Sequence, residues 1–186
     1  MDFYEVLKMR KSVRRYKPDK VPEDVLMRVL EAARIAPSWK NMQCWRYVVI
    51  DDPGLIAKAM GPVARVHNAP MYVAVCADPE QSGKKDGKDY YLVDTAISME
   101  HLVLAATAEG LGTVWLGAAF DEATVRRELA VPDKMRVVAV TPLGYPAEGV
   151  VGTVLDQVAR AAVSASSRKP MDEIAFRNRY GEPISR

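Results

Sequence analysis

Apolar residues recur along the chain at two spacings, and these predict a mixture of helices and strands. Intervals of three and four residues indicate amphipathic helices, whereas short runs rich in valine and isoleucine indicate strands. The elements follow no regular strand–helix alternation, which favours an α+β fold with one sheet covered by helices. The predicted helices lie at about residues 2–9, 22–36, 55–60, 89–109, 121–129 and 153–165. The predicted strands lie at about residues 47–50, 71–77, 112–117 and 135–146.

Residues at the ends of these segments support the predicted boundaries. Asp2 and Asp121 suit helix N-caps, and Pro22 suits the first helical position. Pro37 disfavours helical backbone at the residue before it, so the second helix must end near residue 36. Gly110 suits the position just after a helix C-terminus.

The segment at 89–109 is the longest predicted helix, and its wide apolar face predicts burial on most sides. The polar stretch 81–89 before it contains two glycines and predicts an exposed loop. The apolar positions of the helix are Leu92, Ala96, Ile97, Met99, Leu102, Val103, Ala105 and Ala106.

Length and composition predict one globular domain over residues 1–186. The 49% of hydrophobic residues is ordinary for a globular protein and argues against disorder in most of the chain. No run of about 18 apolar residues could span a bilayer, and the charged N-terminus predicts no signal peptide. Two cysteines allow at most one disulfide, so we expect a reduced, cytoplasmic protein.

Charge is concentrated in one segment, although the 26 lysines and arginines nearly balance the 24 acidic residues. Residues 8–20 contain seven lysines and arginines against Asp19 alone, a net charge of +6. The rest of the chain then carries −4 of the total of +2. The sequence therefore predicts a local positive site in a mildly acidic body.

The basic segment contains Arg10, Lys11, Ser12 and Arg14 just after a predicted helix. Arginine can hold phosphate oxygens through paired hydrogen bonds, and serine adds a neutral donor, so these residues suit a phosphate group. A solvated basic turn is the plainer interpretation of such a charge run. Nucleic-acid binding is a further alternative, but no second basic stripe accompanies it.

Two other segments carry groups suited to a ring-shaped ligand. Residues 37–45 join a helix to a strand and combine amide side chains with two tryptophans, which suit the edge and face of a heterocycle. A helix-ending proline with core tryptophans is the structural alternative. Gly117 could let backbone approach a ligand closely, or simply form a tight turn. The glycines at 110 and 112 follow a helix rather than a strand, so they form no dinucleotide fingerprint.

Motifs for other chemistries are missing from the sequence. It contains no nucleophile elbow, no P-loop and no zinc-protease motif. His67 and His101 are far apart, and no histidine or cysteine pair has metal-ligand spacing, so we expect no metal. An enzyme with no evident acid, base or nucleophile often relies on a cofactor for its chemistry.

Five segments taken in order resemble the nitroreductase family of FMN-dependent oxidoreductases. They are RKSVR at 10–14, EAARIAPSWKNMQCWRYVVI at 31–50, DTAISMEHLVLAATAEGLGTVWLG at 94–117, VTPLGYP at 140–146 and RKPMDEI at 168–174. The resemblance implies an α+β fold with a central, mostly antiparallel sheet surrounded by helices. It also implies an intertwined homodimer with FMN at the interface.

The resemblance further implies which residues contact FMN. Arg10, Lys11 and Ser12 would bind the phosphate, and Arg14 would lie near the pyrimidine edge of the flavin. A loop from the partner subunit and the end of a strand would contact the ring, and a C-terminal basic pair would assist at the phosphate. The loop residues are Pro37, Ser38, Trp39 and Asn41, the strand residues are Trp115, Leu116 and Gly117, and the basic pair is Arg168 and Lys169.

The implied activity is transfer of hydride from NADH or NADPH, through flavin N5, to nitroaromatic, quinone or similar acceptors. The order would be ping-pong, with no catalytic side chain. Two alternatives remain: a flavin- or nucleotide-binding protein without turnover, and a nucleic-acid-binding module that uses residues 8–20. The sequence departs from the family at Lys40, at Cys44, where proline is usual, and at 147–167, which predict an inserted helix that could serve as a dimer contact or a lid.

Overall fold

A computed structural model describes residues 1–147 and 167–184 of the chain. The chain divides into two compact units, residues 1–148 and 149–186. The helices are α1 Phe3–Met9, α2 Glu23–Arg34, α3 Pro53–Met60, α4 Pro62–His67, α5 Tyr90–Ala108 and α6 Glu122–Glu128. The strands are β1 Trp45–Ile50, β2 Met71–Ala77, β3 Lys84–Lys85, β4 Lys88–Asp89, β5 Gly112–Thr113 and β6 Arg136–Gly144.

Four strands form an antiparallel sheet in the order β1-β2-β6-β5. Trp45 lies opposite Ala77 at one end of the β1–β2 pair, and Ile50 lies opposite Tyr72 near the other. β6 pairs with β2 along its whole length, with a bulge between Val75 and Cys76. The antiparallel sheet among helices confirms the predicted α+β architecture.

Helices cover both faces of this sheet, so its strands lie between two hydrophobic clusters. On one face, Val73, Val75 and Leu143 pack with α2 and α5. On the other, Tyr72 and Val140 pack with residues of α3 and α6. Neighbouring residues of a strand point to opposite faces, which explains why every residue of β2 is buried.

Capping side chains and glycine set the helix ends much as predicted. Asp2 accepts a hydrogen bond from the Tyr4 N–H and completes a capping box at α1. Asp121 caps α6, and Gly110, at a φ of +75°, follows α5. Pro22 precedes α2 rather than occupying its first helical position, so α2 begins one residue later than predicted.

Several details differ from the prediction. Stretch 81–89 is not a simple loop, because β3 and β4 pair around a turn in which Asp86 and Gly87 have positive φ. Strand β5 covers only residues 112–113, and beyond it Leu116 makes an isolated bridge to Val140. The helix expected at 153–165 lies outside the described residues. The expectation of one domain over residues 1–186 stays a prediction.

The predicted apolar face of α5 is less buried near the N-terminus of the helix than expected. Met99, Leu102 and Ala106 are fully buried, whereas Leu92 is 44% exposed and Ala96 is exposed. Small polar side chains, Thr95 and Ser98, fill part of the buried face instead. Among the described residues, no helix combines the length and the apolar character needed to cross a bilayer.

The second unit is described from residue 167 to 184. It contains a short 3-10 helix at Met171–Glu173 and an isolated bridge between Phe176 and Pro183. The Phe176 and Tyr180 rings lie 4.8 Å apart between centroids. Most of its described side chains are exposed.

Candidate functional site

The basic loop, residues 10–17, lies along strand β5. The Val13 N–H donates to the Thr113 carbonyl oxygen over 2.8 Å, and Ser12 forms a parallel bridge with Thr113. A Cβ on Gly112 would lie 2.7–2.8 Å from the Val13 side chain, closer than atoms can approach. Glycine at 112 therefore allows the loop backbone to sit directly against the strand.

The second half of the basic loop is fixed to the end of β6. The Lys17 N–H donates to the Tyr145 carbonyl, and the Ala147 N–H donates to the Arg15 carbonyl. The Tyr16 hydroxyl turns back to donate to the Val13 carbonyl over 2.6 Å. Burial of this hydroxyl raises the pKa of Tyr16 above its usual range. The loop backbone is thus held at several points, independently of its charged side chains.

The side chains of Arg10, Lys11 and Arg14 have no such fixed partner in the described part of the chain. Arg10, Lys11 and Arg14 have no carboxylate partner among residues 1–147 and 167–184, although Arg10 and Arg14 are half-buried. Some arginines elsewhere are paired, since Arg28 pairs with Glu109 and Arg136 pairs with Glu122. Unpaired cations on a well-fixed backbone are suited to binding an anion.

The segment Trp115–Gly117 follows β5, beside the basic loop. Leu116 is buried and exchanges two hydrogen bonds of 3.0 Å with Val140, while Trp115 and Gly117 are exposed. The Gly117 N–H has no acceptor within the described part of the chain. This segment therefore presents a free backbone donor and an indole on the same strand end.

The loop of residues 37–43 has a strained backbone. Lys40, Asn41 and Gln43 all have positive φ, between 46° and 59°, although none of them is glycine. The Ser38 hydroxyl accepts the Gln43 N–H over 2.9 Å, and the Gln43 amide reaches back to Asn41. Pro37 and Asn41 are exposed, so these bonds shape a loop at the surface.

The same loop is anchored to helix α5 by Asp94. One carboxylate oxygen accepts the Trp39 N–H over 2.8 Å, and the other accepts the Ser82 hydroxyl over 2.7 Å. The Cys44 thiol lies 3.8 Å from that second oxygen. Asp94 is only 2% exposed, so its carboxylate joins three segments in the interior.

The Trp39 indole is held between the β3–β4 hairpin and α5. Its ring centroid lies 4.1 Å from that of Tyr90, and a Cβ on Gly83 would lie 2.5 Å from the indole nitrogen. The Lys40 ammonium lies 5.8 Å from the indole centroid. Trp39 is half-buried, which leaves part of its ring accessible.

Cys44 is completely buried beside this loop. Burial, followed by the charge of Asp94, raises the pKa of its thiol to about 11. A thiol with such a pKa is a poor nucleophile at neutral pH. Both Cys44 and Cys76 are free thiols, as expected for a reduced chain.

The two loops lie at opposite corners of the sheet within one chain. Thr113, beside the basic loop, pairs with Leu143 of β6, which pairs with Met71 at the start of β2. Trp45, just after the other loop, pairs with Ala77 at the opposite end of β2. The six residues from Met71 to Ala77 span about 20 Å along the strands. The three strand spacings from β1 to β5 add about 14 Å across the sheet. The basic loop therefore pairs with β5, from which the chain continues into Trp115–Gly117, whereas the loop of residues 37–43 lies roughly 25 Å away.

The C-terminal basic pair belongs to the second unit. Arg168 and Lys169 are exposed, and Arg168 donates to the Ser167 carbonyl over 2.8 Å. Most of the inserted stretch 147–167 lies outside the described residues, so a lid or dimer role for it remains a prediction. Within the described ranges, no group of three or more histidine, cysteine and acidic side chains could hold a metal ion.

Sequence reasoning missed Asp94 and the hairpin of residues 84–89 as parts of the site. Asp94 carries one signal, because a carboxylate inside an otherwise apolar helical pattern must find donors if it is buried. The hairpin signal was the Asp86–Gly87 dipeptide, which is typical of a tight turn between strands. Neither signal alone indicates that both structures meet at Trp39.

Comparisons with known proteins agree on one family. A sequence profile described as the nitroreductase family matches residues 7–65 and 56–145. A crystal structure of a nitroreductase family protein from Clostridium novyi NT is 38% identical, with a TM-score of 0.74 over 99% of this chain and 97% of that one. An NADH dehydrogenase of Thermus thermophilus is 33% identical over 174 residues, covering 75% of this chain and 84% of the relative.

A third similar protein is an FMN-dependent nitroreductase from Clostridium difficile R20291. It is 28% identical, with a TM-score of 0.69 over 84% of this chain and 94% of that one. The family profile spans both the basic loop and the end of β6, so the match includes the segments that build the site. From the sequence profile and the shared fold together, the chain belongs to the nitroreductase family of oxidoreductases.

Proposed function

We propose that the chain is an FMN-dependent oxidoreductase that passes hydride from NADH or NADPH to nitroaromatic, quinone or similar small acceptors. The observation that carries the proposal is that Arg10, Lys11 and Arg14 have no carboxylate partner in the described residues, on a loop whose backbone pairs with Thr113, four residues before the exposed Gly117. Bound FMN would supply the hydride-accepting and hydride-donating chemistry at its N5 atom. The chain would supply binding, orientation and electrostatic stabilisation.

The donor set of the basic loop fits a phosphate monoester. Such a group carries close to two negative charges at neutral pH and accepts several hydrogen bonds. Arg10, Lys11 and the Ser12 hydroxyl offer two charges and one neutral donor from consecutive residues. Arg168 and Lys169 are proposed as further phosphate contacts, as the family resemblance implies.

Arg14 and Gly117 are proposed to act at the flavin ring. A cation at the pyrimidine edge stabilises the negative charge that a reduced flavin carries there, which favours acceptance of hydride. Arg14 suits this role because it is half-buried and has no carboxylate partner in the described part of the chain. The Gly117 N–H would donate to N5 and keep the reacting atom in one orientation.

No side chain is assigned as a nucleophile or as a proton carrier. The buried thiols of Cys44 and Cys76 have raised pKa values of about 11, which makes them unsuited to either role at neutral pH. Reductant and acceptor would therefore use the same open ring face in turn, which is a ping-pong order.

We also propose that the working unit is a homodimer. The loop of residues 37–43 lies roughly 25 Å from the basic loop in one chain, so a second copy must supply it if both contact one flavin. Exposed apolar side chains on α1 and α5 offer a surface for that contact, since burying them would remove apolar area from water. They are Phe3, Tyr4, Leu7, Leu92 and Val93.

The test is to purify the protein in the presence of FMN and to record its visible spectrum, its molar mass and its oxidation of NADH and NADPH. We expect a yellow dimer that oxidises at least one of the two and passes the electrons to nitro or quinone acceptors. A yellow protein that neither reductant bleaches would instead be a flavin-binding protein without turnover. A colourless protein that takes up no FMN would contradict the proposal.

Retention of the protein on a polyanion column distinguishes the nucleic-acid-binding alternative from the proposed function. If residues 8–20 bound a polyanion, affinity would fall steeply with salt concentration. We expect weak retention that added FMN abolishes, because a single phosphate group would occupy the loop. Salt-dependent retention that FMN leaves unchanged would favour the alternative.

A further inference from the structure

We infer that Asp94 is a positioning residue for the flavin site, holding the loop of residues 37–43 without contacting the flavin. This inference rests on the proposed function, because it concerns the loop that a second copy would meet. The Asp94 carboxylate is the one point where that loop, the hairpin and α5 are joined by polar bonds in the described residues. Asp94 therefore acts on the flavin site only through the position of the loop of residues 37–43.

The surroundings of Asp94 consist of donors. The Trp39 N–H, the Ser82 hydroxyl and the Cys44 thiol all point to its two oxygens. An ionised carboxylate accepts hydrogen bonds and donates none, so it satisfies these three groups at once. Asp94 has no ion-pair partner in the described ranges, which leaves its two hydrogen bonds and the longer thiol contact as its links to neighbouring segments.

The loop that Asp94 holds needs an external anchor. Left-handed backbone is unfavourable for residues other than glycine, and Lys40, Asn41 and Gln43 all adopt it. The bond between Ser38 and Gln43 closes the loop on itself but does not attach it to the rest of the protein. The Trp39 N–H bond to Asp94 attaches the loop to α5, whereas Arg46 of β1 donates to the Gln43 carbonyl only at the loop's end.

The same carboxylate also sets the position of the Trp39 ring. Ser82 is bonded to Asp94, and the next residue, Gly83, lies against the indole so closely that no Cβ would fit. Tyr90, one turn of α5 before Asp94, covers the ring at a centroid distance of 4.1 Å. Backbone and side chain of Trp39 are thus both located through Asp94 and its immediate neighbours.

The experiment compares Asp94→Asn with Ser98→Ala. Asparagine keeps the size of aspartate but loses its charge and turns an NH₂ group toward donors. Ser98 is the matched control, since it is also fully buried on α5 and bonds to the Ala33 carbonyl and the Tyr47 hydroxyl, not to the loop. Two quantities are measured for each variant: the near-UV circular dichroism of the FMN-free protein and the dissociation constant for FMN.

We expect Asp94→Asn to change the near-UV signal and to weaken FMN binding about tenfold, the usual effect of disturbing a buried polar contact behind a binding site. Trp39→Phe identifies the share of the signal that comes from Trp39. Ser98→Ala should leave the signal in place and change the FMN dissociation constant less than about threefold. An unchanged signal and unchanged FMN affinity in Asp94→Asn would overturn the inference.

Gly83→Ala provides a second route if Asp94→Asn does not fold. Its added methyl group would displace the indole while leaving the Asp94 carboxylate in place, so FMN affinity should fall in the same direction. Normal FMN binding by Gly83→Ala would also count against the inference. The near-UV comparison needs no flavin, so it can be read even if the wild-type protein fails to bind FMN and the proposed function is wrong.

Discussion

The two loops of the candidate site differ in how their polar groups are satisfied. In the basic loop, the backbone is bonded to β5 and to the segment after β6, and Arg10, Lys11 and Arg14 have no carboxylate partner in the described residues. In the loop of residues 37–43, the key polar groups are bonded within the chain, through Ser38 and Asp94. One region presents cations without carboxylate partners, and the other has its main polar groups bonded internally.

The difference follows from what fixes each backbone. Backbone bonds to Thr113 and Tyr145 hold the basic loop, so the charges of Arg10, Lys11 and Arg14 are not needed to fix its position. The strained backbone of the other loop makes no strand-like backbone bonds in the described residues and is held to α5 by a buried carboxylate. Substitutions in the first region should therefore affect binding, and those around the second should affect stability and access as well.

The largest expected effect is the protection of Cys44, which lies in the internally bonded region. With a pKa of about 11, its thiolate is scarce at pH 8, and burial excludes reagents. We expect alkylation by iodoacetamide to be at least about a hundredfold slower in the native protein than in urea, where both cysteines should react. Mass spectrometry over time measures this, and equal native and unfolded rates would show that the region is open.

Arg10→Ala tests whether the basic loop binds the FMN phosphate. Loss of a charge-assisted hydrogen bond should weaken FMN binding about 10- to 100-fold, while the free energy of unfolding changes by less than about 0.5 kcal/mol. Titration with FMN and urea unfolding measure the two quantities. Arg65→Ala removes an exposed arginine of α4 and should change neither. Unaltered FMN affinity in Arg10→Ala would remove the phosphate assignment.

Gly112→Ala tests whether the backbone of the basic loop must lie against β5. The new methyl group would overlap the Val13 side chain, and such overpacking should lower the free energy of unfolding by about 1–3 kcal/mol. FMN affinity should fall too, because the donors of the loop would be displaced. Gly54→Ala, whose Cβ would meet only the Asp52 carboxylate at 3.2 Å, is the control for adding a methyl group. Wild-type stability in Gly112→Ala would mean that the contact is not tight.

The smallest effect concerns an arginine that is paired, in contrast to Arg10. Hydrogen bonds from Arg136 lower the pKa of Glu122 in the folded protein, so this pair stabilises the fold above the unfolded-state pKa of about 4.3. The contribution is lost as pH falls through the lower folded-state pKa. Because the pair is partly exposed, Glu122→Gln should cost at most about 1 kcal/mol at pH 7.

Urea unfolding of the wild type and of Glu122→Gln at pH 7, 5 and 4 measures this difference. It should be largest at pH 7 and shrink toward pH 4 as the carboxylate begins to take up protons in both states. A difference that grows as the pH falls would show that the sign of the pKa shift is wrong.

Much of the fold was predictable because local signals agreed with the final packing. The run Met71–Ala77 is apolar throughout because both faces of its strand are covered, and its bounds were predicted without error. The capping roles of Asp2 and Asp121 depend only on neighbouring backbone, so they too were accessible from sequence. The strand at 112–117 was predicted too long, since pairing with β6 ends after two residues and returns only at Leu116.

The candidate site also has features that local sequence predicts and features that only the tertiary structure decides. By itself, the sequence determined the donors available for a phosphate, from Arg10 to Arg14, because charge and hydrogen-bonding capacity belong to the residues. The tertiary structure decided that the loop carrying these donors pairs with Thr113, that Asp94 anchors Trp39, and that the two loops occupy opposite corners of the sheet. These are contacts between residues distant in sequence, and they depend on strand order and register, which no local pattern specifies.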